Sequence, residues 1–139
     1  MSLTGALDDR RRGLLRLEVG HLRARETRRV FDPLLYVGEL GGPRSSVVLA
    51  RRDEPVLDDA LRTDVVGRLL EDTPTACRTV WLARPGRPEL QDADLRWLAA
   101  ARLAFGSHGR ELDGCYALTR SGWLDVAGGE SRVWVRLRL

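Results

Sequence analysis

Few side chains in this 139-residue chain can carry proton or nucleophile chemistry. Lysine is absent, so all 23 basic residues are arginines, and Ile and Asn are missing too. That removes a Walker-type phosphate-loop lysine, a pyridoxal Schiff base and any lysine-dependent nuclease centre. His21 and His108 are the only imidazoles available as bases. His108 lies in GSHGRELD, a glycine-flanked turn that suits an exposed side chain. Ser107 and Asp113 are close by, but no serine sits in a G-x-S-x-G frame. Cys77 and Cys115 lack any C-x-x-C pattern and read as small buried hydrophobes rather than a disulfide or metal pair. The glycine-rich turn GELGGPRSS (38–46) could offer N–H groups to an anion, yet it has neither G-x-G-x-x-G nor a helix behind it. Asp92 and Asp94 remain as carboxylates that could work as acid or base, behind the loop of LARPGRPELQDADLRW (82–97).

A second pattern concerns binding. Arg132, Trp134, Arg136 and Arg138 fall on one face of the last strand, and Arg120 and Trp123 could join them from the strand before. Cations interleaved with rings suit single-stranded nucleic acid through phosphate charge and base stacking. The same pattern is self-stabilising through cation–π contact within the protein. Arginine abundance is also what a GC-rich bacterial coding bias produces. Net charge is +3, unevenly spread: residues 1–30 carry eight arginines against four acids, whereas 31–110 are slightly acidic and 111–139 balanced. A basic N-terminal segment could meet nucleic acid or an acidic partner, or simply face solvent.

The elements that would position these groups follow from periodicity. Residues 1–30 form a basic N-terminal segment of uncertain structure: LLRLEV alternates like a strand, and 6–29 could also be an irregular basic helix. Residues 31–139 read as one domain. LLYVGEL (34–40) and SSVVLARR (45–52) predict a hairpin. Leu57, Leu61, Val65 and Leu69 recur every fourth residue, predicting a helix that buries that stripe and stops before Pro74. CRTVWLA (77–83) predicts a core strand. DADLRWLAAARLAFG predicts a helix burying Leu95, Leu98, Ala99 and Leu103 and stopping at Gly106. GCYALTRSGWLDV and SRVWVRLRL predict two strands joined by Ala-Gly-Gly-Glu. The fold class is therefore α/β: a mixed β-sheet flanked by helices and ending in a C-terminal β-hairpin.

The strand, proline loop and helix of residues 82–97 resemble the RadC and JAB-type (JAMM) domains. In that family a strand ends in His-x-His-Pro and a Ser-x-x-Asp follows at the next helix. The histidines and aspartate hold zinc, and an upstream glutamate activates the bound water. Aligned on the proline, Leu82 and Arg84 take the histidine positions, Gln91 the serine and Asp94 the aspartate, with Glu39 as the candidate glutamate. The resemblance runs over about residues 30 to 126 in the order of elements. A leucine cannot ligate zinc and an arginine repels it, so the resemblance implies a metal-free version without isopeptidase activity.

The expectation is a non-catalytic interaction domain with no cofactor and no metal. It would meet a protein partner, or a second copy of itself as a homodimer, through the terminal edge strand. The alternative is a small nucleic-acid-binding domain using the N-terminal arginines and the Arg/Trp face. A third reading makes Asp92 and Asp94 catalytic. Acids and arginines fill the first fifteen residues where a signal peptide needs an apolar run, and no run could span a membrane, which together predict a cytoplasmic protein.

Overall fold

The computed structural model describes residues 7–135. Three α-helices and six strands run in the order α1 (Asp9–Arg25), β1 (Leu34–Gly38), β2 (Arg44–Val48), α2 (Asp59–Glu71), β3 (Thr79–Ala83), α3 (Asp92–Ser107), β4 (Gly114–Thr119), β5 (Gly122–Asp125), β6 (Ser131–Val133). The strands form one sheet in the order β2-β1-β3-β4-β5-β6. Only β3 and β4 are parallel, joined by the α3 crossover; each other neighbouring pair is antiparallel. This is a mixed α/β sheet with helices on both faces, ending in the β5–β6 hairpin.

The central strands are buried on both faces, which is why β3 and β4 read as continuous apolar runs. Val80 and Leu82 of β3 point toward α2 and α3, with Leu35, Val37, Cys115, Ala117 and Leu124. Trp81 and Ala83 point the other way, with Tyr36, Tyr116, Leu118 and Trp123, and are covered by Leu15, Val19 and Leu22 of α1. Residues 9–25 thus form a helix, not the strand that LLRLEV suggested. Leu15, Val19 and Leu22 share one helical face, while Leu17, which the alternation grouped with them, is exposed. Asp8 caps α1, accepting from the Arg11 N–H at 2.8 Å.

Several other expectations are corrected. In α2 the buried positions are Arg62, Val66, Gly67, Leu69 and Leu70, and Leu61 is exposed. In α3 they are Asp94, Trp97, Leu98, Ala100, Ala101, Ala104 and Phe105, leaving Leu95 and Leu103 in solvent and Ala99 exposed with them. The expected stripe is out of phase because α3 is apolar nearly all round. Its phase is fixed by Asp94, which pairs with Arg84, and by Trp97, over which Arg62 lies at 5.8 Å. The helix passes Gly106 and ends at Ser107; Gly109 (φ +64°) turns the chain beyond the cap, with Arg110 N–H bonding the Phe105 carbonyl and Gly109 N–H that of Gly106. β2 ends at Val48, and Arg51–Val56 form a 3-10 turn. The run 114–126 is not one strand but β4 and β5, folded at Arg120-Ser121. Gly122 is required there, since a Cβ would sit 1.9 Å from the Arg132 carbonyl oxygen. Among the described residues no helix is long and apolar enough to cross a membrane.

Candidate functional site

Arg84 follows β3 immediately, and Asp94 is in the first turn of α3. Residues two apart on an extended chain share a side, so Leu82 and Arg84 both face the layer in which α3 packs. Arg84 meets Asp94 as a bidentate pair, Nε to Oδ1 and Nη2 to Oδ2, both at 2.8 Å, with both side chains buried. Its remaining N–H groups go to the loop it spans. Nη1 donates to the carbonyls of Pro85 (3.1 Å) and Arg87 (3.0 Å), and Nη2 to that of Glu89 (2.9 Å). An arginine has five N–H donors. Here all five are used inside the protein. Asp94 Oδ2 also accepts the Gln91 N–H at 2.9 Å, so one carboxylate both neutralises the guanidinium and caps α3.

A groove of about 520 Å³ runs beside this pair, walled by Pro33, Glu54, Leu82, Gln91 and Trp97. Its chemistry does not suit a metal. Leu82 offers no donor atom, and the Arg84 guanidinium is a fixed cation where a ligand would be needed. Glu39 does not belong to this groove. It lies past the far end of β1, where Oε1 accepts the Arg78 N–H at 3.0 Å. Gly38 pairs with Thr79 and Leu34 with Ala83, so the length of the strand pair, about 16 Å at ~3.3 Å per residue, separates Glu39 from Arg84. Among the described residues no group of three or more His, Cys, Asp and Glu is placed to hold a metal ion.

The other candidates are also engaged elsewhere. Asp92 is exposed at the start of α3. His108 caps the C-terminus of α3, its Nδ1 2.8 Å from the Ala104 carbonyl, and its Nε2 is 4.0 Å from Glu71. The Gly41 N–H of the glycine-rich turn donates to Glu18 at 2.8 Å and is not free for an anion. Cys77 and Cys115 are free, buried thiols, and burial pushes the Cys115 thiol up to about 12.

On the C-terminal hairpin the structure divides the expected set. Trp123 and Arg132 are directly opposed, so Trp123, Arg132 and Trp134 share the α1 face. Trp123 is buried beneath α1, however, and presents no ring to solvent. Trp134 is half-buried, with the guanidinium carbons of Arg16 and Arg132 each 5.6 Å from its ring. Arg120 is half-buried in the β4–β5 turn. Arg136 and Arg138 lie outside the described residues.

The α1 arginines largely serve the fold. Arg11 donates to the Asp113 carbonyl (3.2 Å), Arg12 to Glu130 (2.7 Å), Arg23 to the Arg120 carbonyl (3.2 Å) and Arg25 to the Tyr36 hydroxyl (2.8 Å). Sequence reasoning missed two arginine hubs. Arg44 pairs with the buried Glu18 (Nη1 to Oε1, 2.8 Å) and lies over Trp81 at 4.9 Å. Arg110 donates to the carbonyls of Leu70, Pro74 and Cys77. In a chain with 23 arginines, nothing local distinguishes these from surface charges.

No family model, curated protein or solved structure matches this chain.

Proposed function

We propose that this protein is a non-catalytic α/β domain that acts through protein contacts, built on a metal-free version of the JAB/RadC-like layout. The observation that carries the reading is the saturation of Arg84. The junction has the order that zinc hydrolases of that type use: strand, proline loop, helix with an aspartate in its first turn. Its two central side chains are bound to each other and to the loop backbone. With every N–H spent, the guanidinium has none left to polarise a substrate. Both Asp94 oxygens are taken up by hydrogen bonds from Arg84 and the Gln91 N–H. Arg84 does the organising work that a cation would do, drawing three loop carbonyls and a carboxylate around one fixed charge. The burial of Trp123, and the arginines at Trp134, favour protein contacts over base stacking. A cytoplasmic setting fits the two free thiols.

The test is hydrolysis by the purified full chain, supplied with Zn²⁺, of peptide, isopeptide and phosphodiester substrates. The reading requires no turnover above buffer. Turnover that disappears in Asp94→Ala would overturn it.

A further inference from the structure

We propose that the free edge of β2 is a homodimer interface, at which two copies of the chain pair β2 with β2 antiparallel about a two-fold axis at Ser46. This interface rests on the reading of the protein as a domain that acts through protein contacts, and gives that reading one surface and one partner.

The edge is open by its hydrogen bonding. β2 is the terminal strand at the end of the sheet opposite β6, and among the described residues it pairs with β1 alone. The Pro43 carbonyl accepts the Glu39 N–H, and the Leu49 N–H goes to the Pro33 carbonyl. Antiparallel pairing alternates, so Ser45 and Val47 bond β1, while Arg44, Ser46 and Val48 turn their peptide groups outward. The chain beyond β2 does not cover them: Arg51 and Glu54 fold inward to wall the groove they share with Leu82 and Trp97. Strand edges that must stay single are commonly blocked by a bulge, a proline or an unpaired charge. β2 has none of these along 44–48, because its one charge, Arg44, is taken up by the buried Glu18.

Apolar side chains flank this edge on both faces of the sheet. On the α1 face Val48 is 59% exposed. On the other face α2 packs over β1 and β2, and α3 over β4. Thr63 and Gly67 of α2 face α3, beside Ala104 and His108. Helix positions two apart point about 200° from one another. Leu61 and Val65 therefore point away from α3, over the β2 edge. Leu61 is 41% exposed and Val65 half-buried. They are the part of the Leu57–Leu69 stripe that the chain's own core leaves uncovered.

The register makes the edge complementary to itself. With the axis at Ser46, each Ser46 faces its own copy and each Arg44 faces Val48 of the second copy, so no like charges are opposed. Arg44, Ser46 and Val48 each exchange both peptide bonds with the residue opposite, which satisfies every outward group between them. A two-fold axis normal to the sheet keeps like faces together. The two α2 helices then lie side by side with Leu61 and Val65 between them, and the Arg44 stem covers Val48 on the other face. Pairing β2 of one copy with β6 of the next would leave edges free and grow without closing, whereas two β2 edges close as a dimer.

The test is sedimentation velocity of the full chain over a dilution series reaching about 100 μM. A reversible monomer–dimer equilibrium is expected, the dimer having twice the 15.6 kDa chain mass. Val48 is exposed in the single chain, so its variants should keep the wild-type circular dichroism. Val48→Lys sets a like charge against Arg44 at two symmetric places and should raise the dimer dissociation constant about tenfold or more. Val48→Glu sets an opposite charge there and should leave the dimer as tight or tighter. Ser46→Pro, which removes the central outward N–H without touching a bond to β1, should also yield monomer. Monomer at every concentration, assembly that continues past the dimer, or equal effects of the Lys and Glu substitutions overturns the proposal. Assaying the same samples for turnover keeps the two claims apart. An inert monomer removes this interface alone, whereas turnover removes the non-catalytic reading.

Discussion

Arg84 shows how one buried side chain can organise a loop and the start of a helix together. A buried ion pair is weak evidence of net stabilisation, because both charges lost their water on folding. Removing one partner is another matter, since it strands an uncompensated charge. Asp94 is wholly buried and Arg84 nearly so. Asp94→Ala should therefore lower unfolding free energy by about 3–5 kcal/mol, measured by urea denaturation. Arg84→Met with Asp94→Leu should recover part of that loss, the shortfall reflecting the Pro85, Arg87 and Glu89 carbonyls left without donors. A loss under about 1 kcal/mol for Asp94→Ala would put the pair in the class of surface bridges and remove its organising role.

At the scale of elements, α1 is tied to the sheet by a second buried pair. Burial raises the Glu18 carboxyl, but the hydrogen bonds from Arg44 and the Gly41 N–H, with the charge of Arg44, outweigh it and hold the group below the usual carboxylate range. A depressed folded-state pKa gives stability that is present above the ordinary value and lost as pH falls below it. Between about pH 5 and pH 3 the wild-type chain should lose more unfolding free energy than Glu18→Gln does, by chemical denaturation at each pH. Parallel curves would show that Glu18 is not a titrating link. Elements were legible where the local pattern had one solution. β1 lies between Asp-Pro and a glycine turn, and β3 is a short β-branched run between helix and proline. Phase was not legible. In α3 nearly every position from Leu95 to Phe105 is apolar, so two stripes compete, and a tertiary contact, Arg84 to Asp94, selects one. α1 hid for the opposite reason: it has few apolar positions, and its first turns are arginines, of which Arg11 and Arg12 bond Asp113 and Glu130 in the loops beside the sheet. The candidate site was legible as a chain order around Arg84 and Asp94.

The whole molecule is a three-layer fold, α1 on one face of the sheet and α2 with α3 on the other. We propose that residues 82–94 follow the layout of a metal site, with Leu82 and Arg84 at its ligand positions. The most direct test is Co²⁺ and Zn²⁺ titration of the wild-type chain beside Leu82→His with Arg84→His, both shown to be folded by circular dichroism. Leu82 and Arg84 share a side and Arg84 reaches Asp94, so the double variant should bind one metal ion with tetrahedral Co²⁺ absorbance, and the wild type none. Stoichiometric binding by the wild type, or no binding by a folded double variant, would contradict the account.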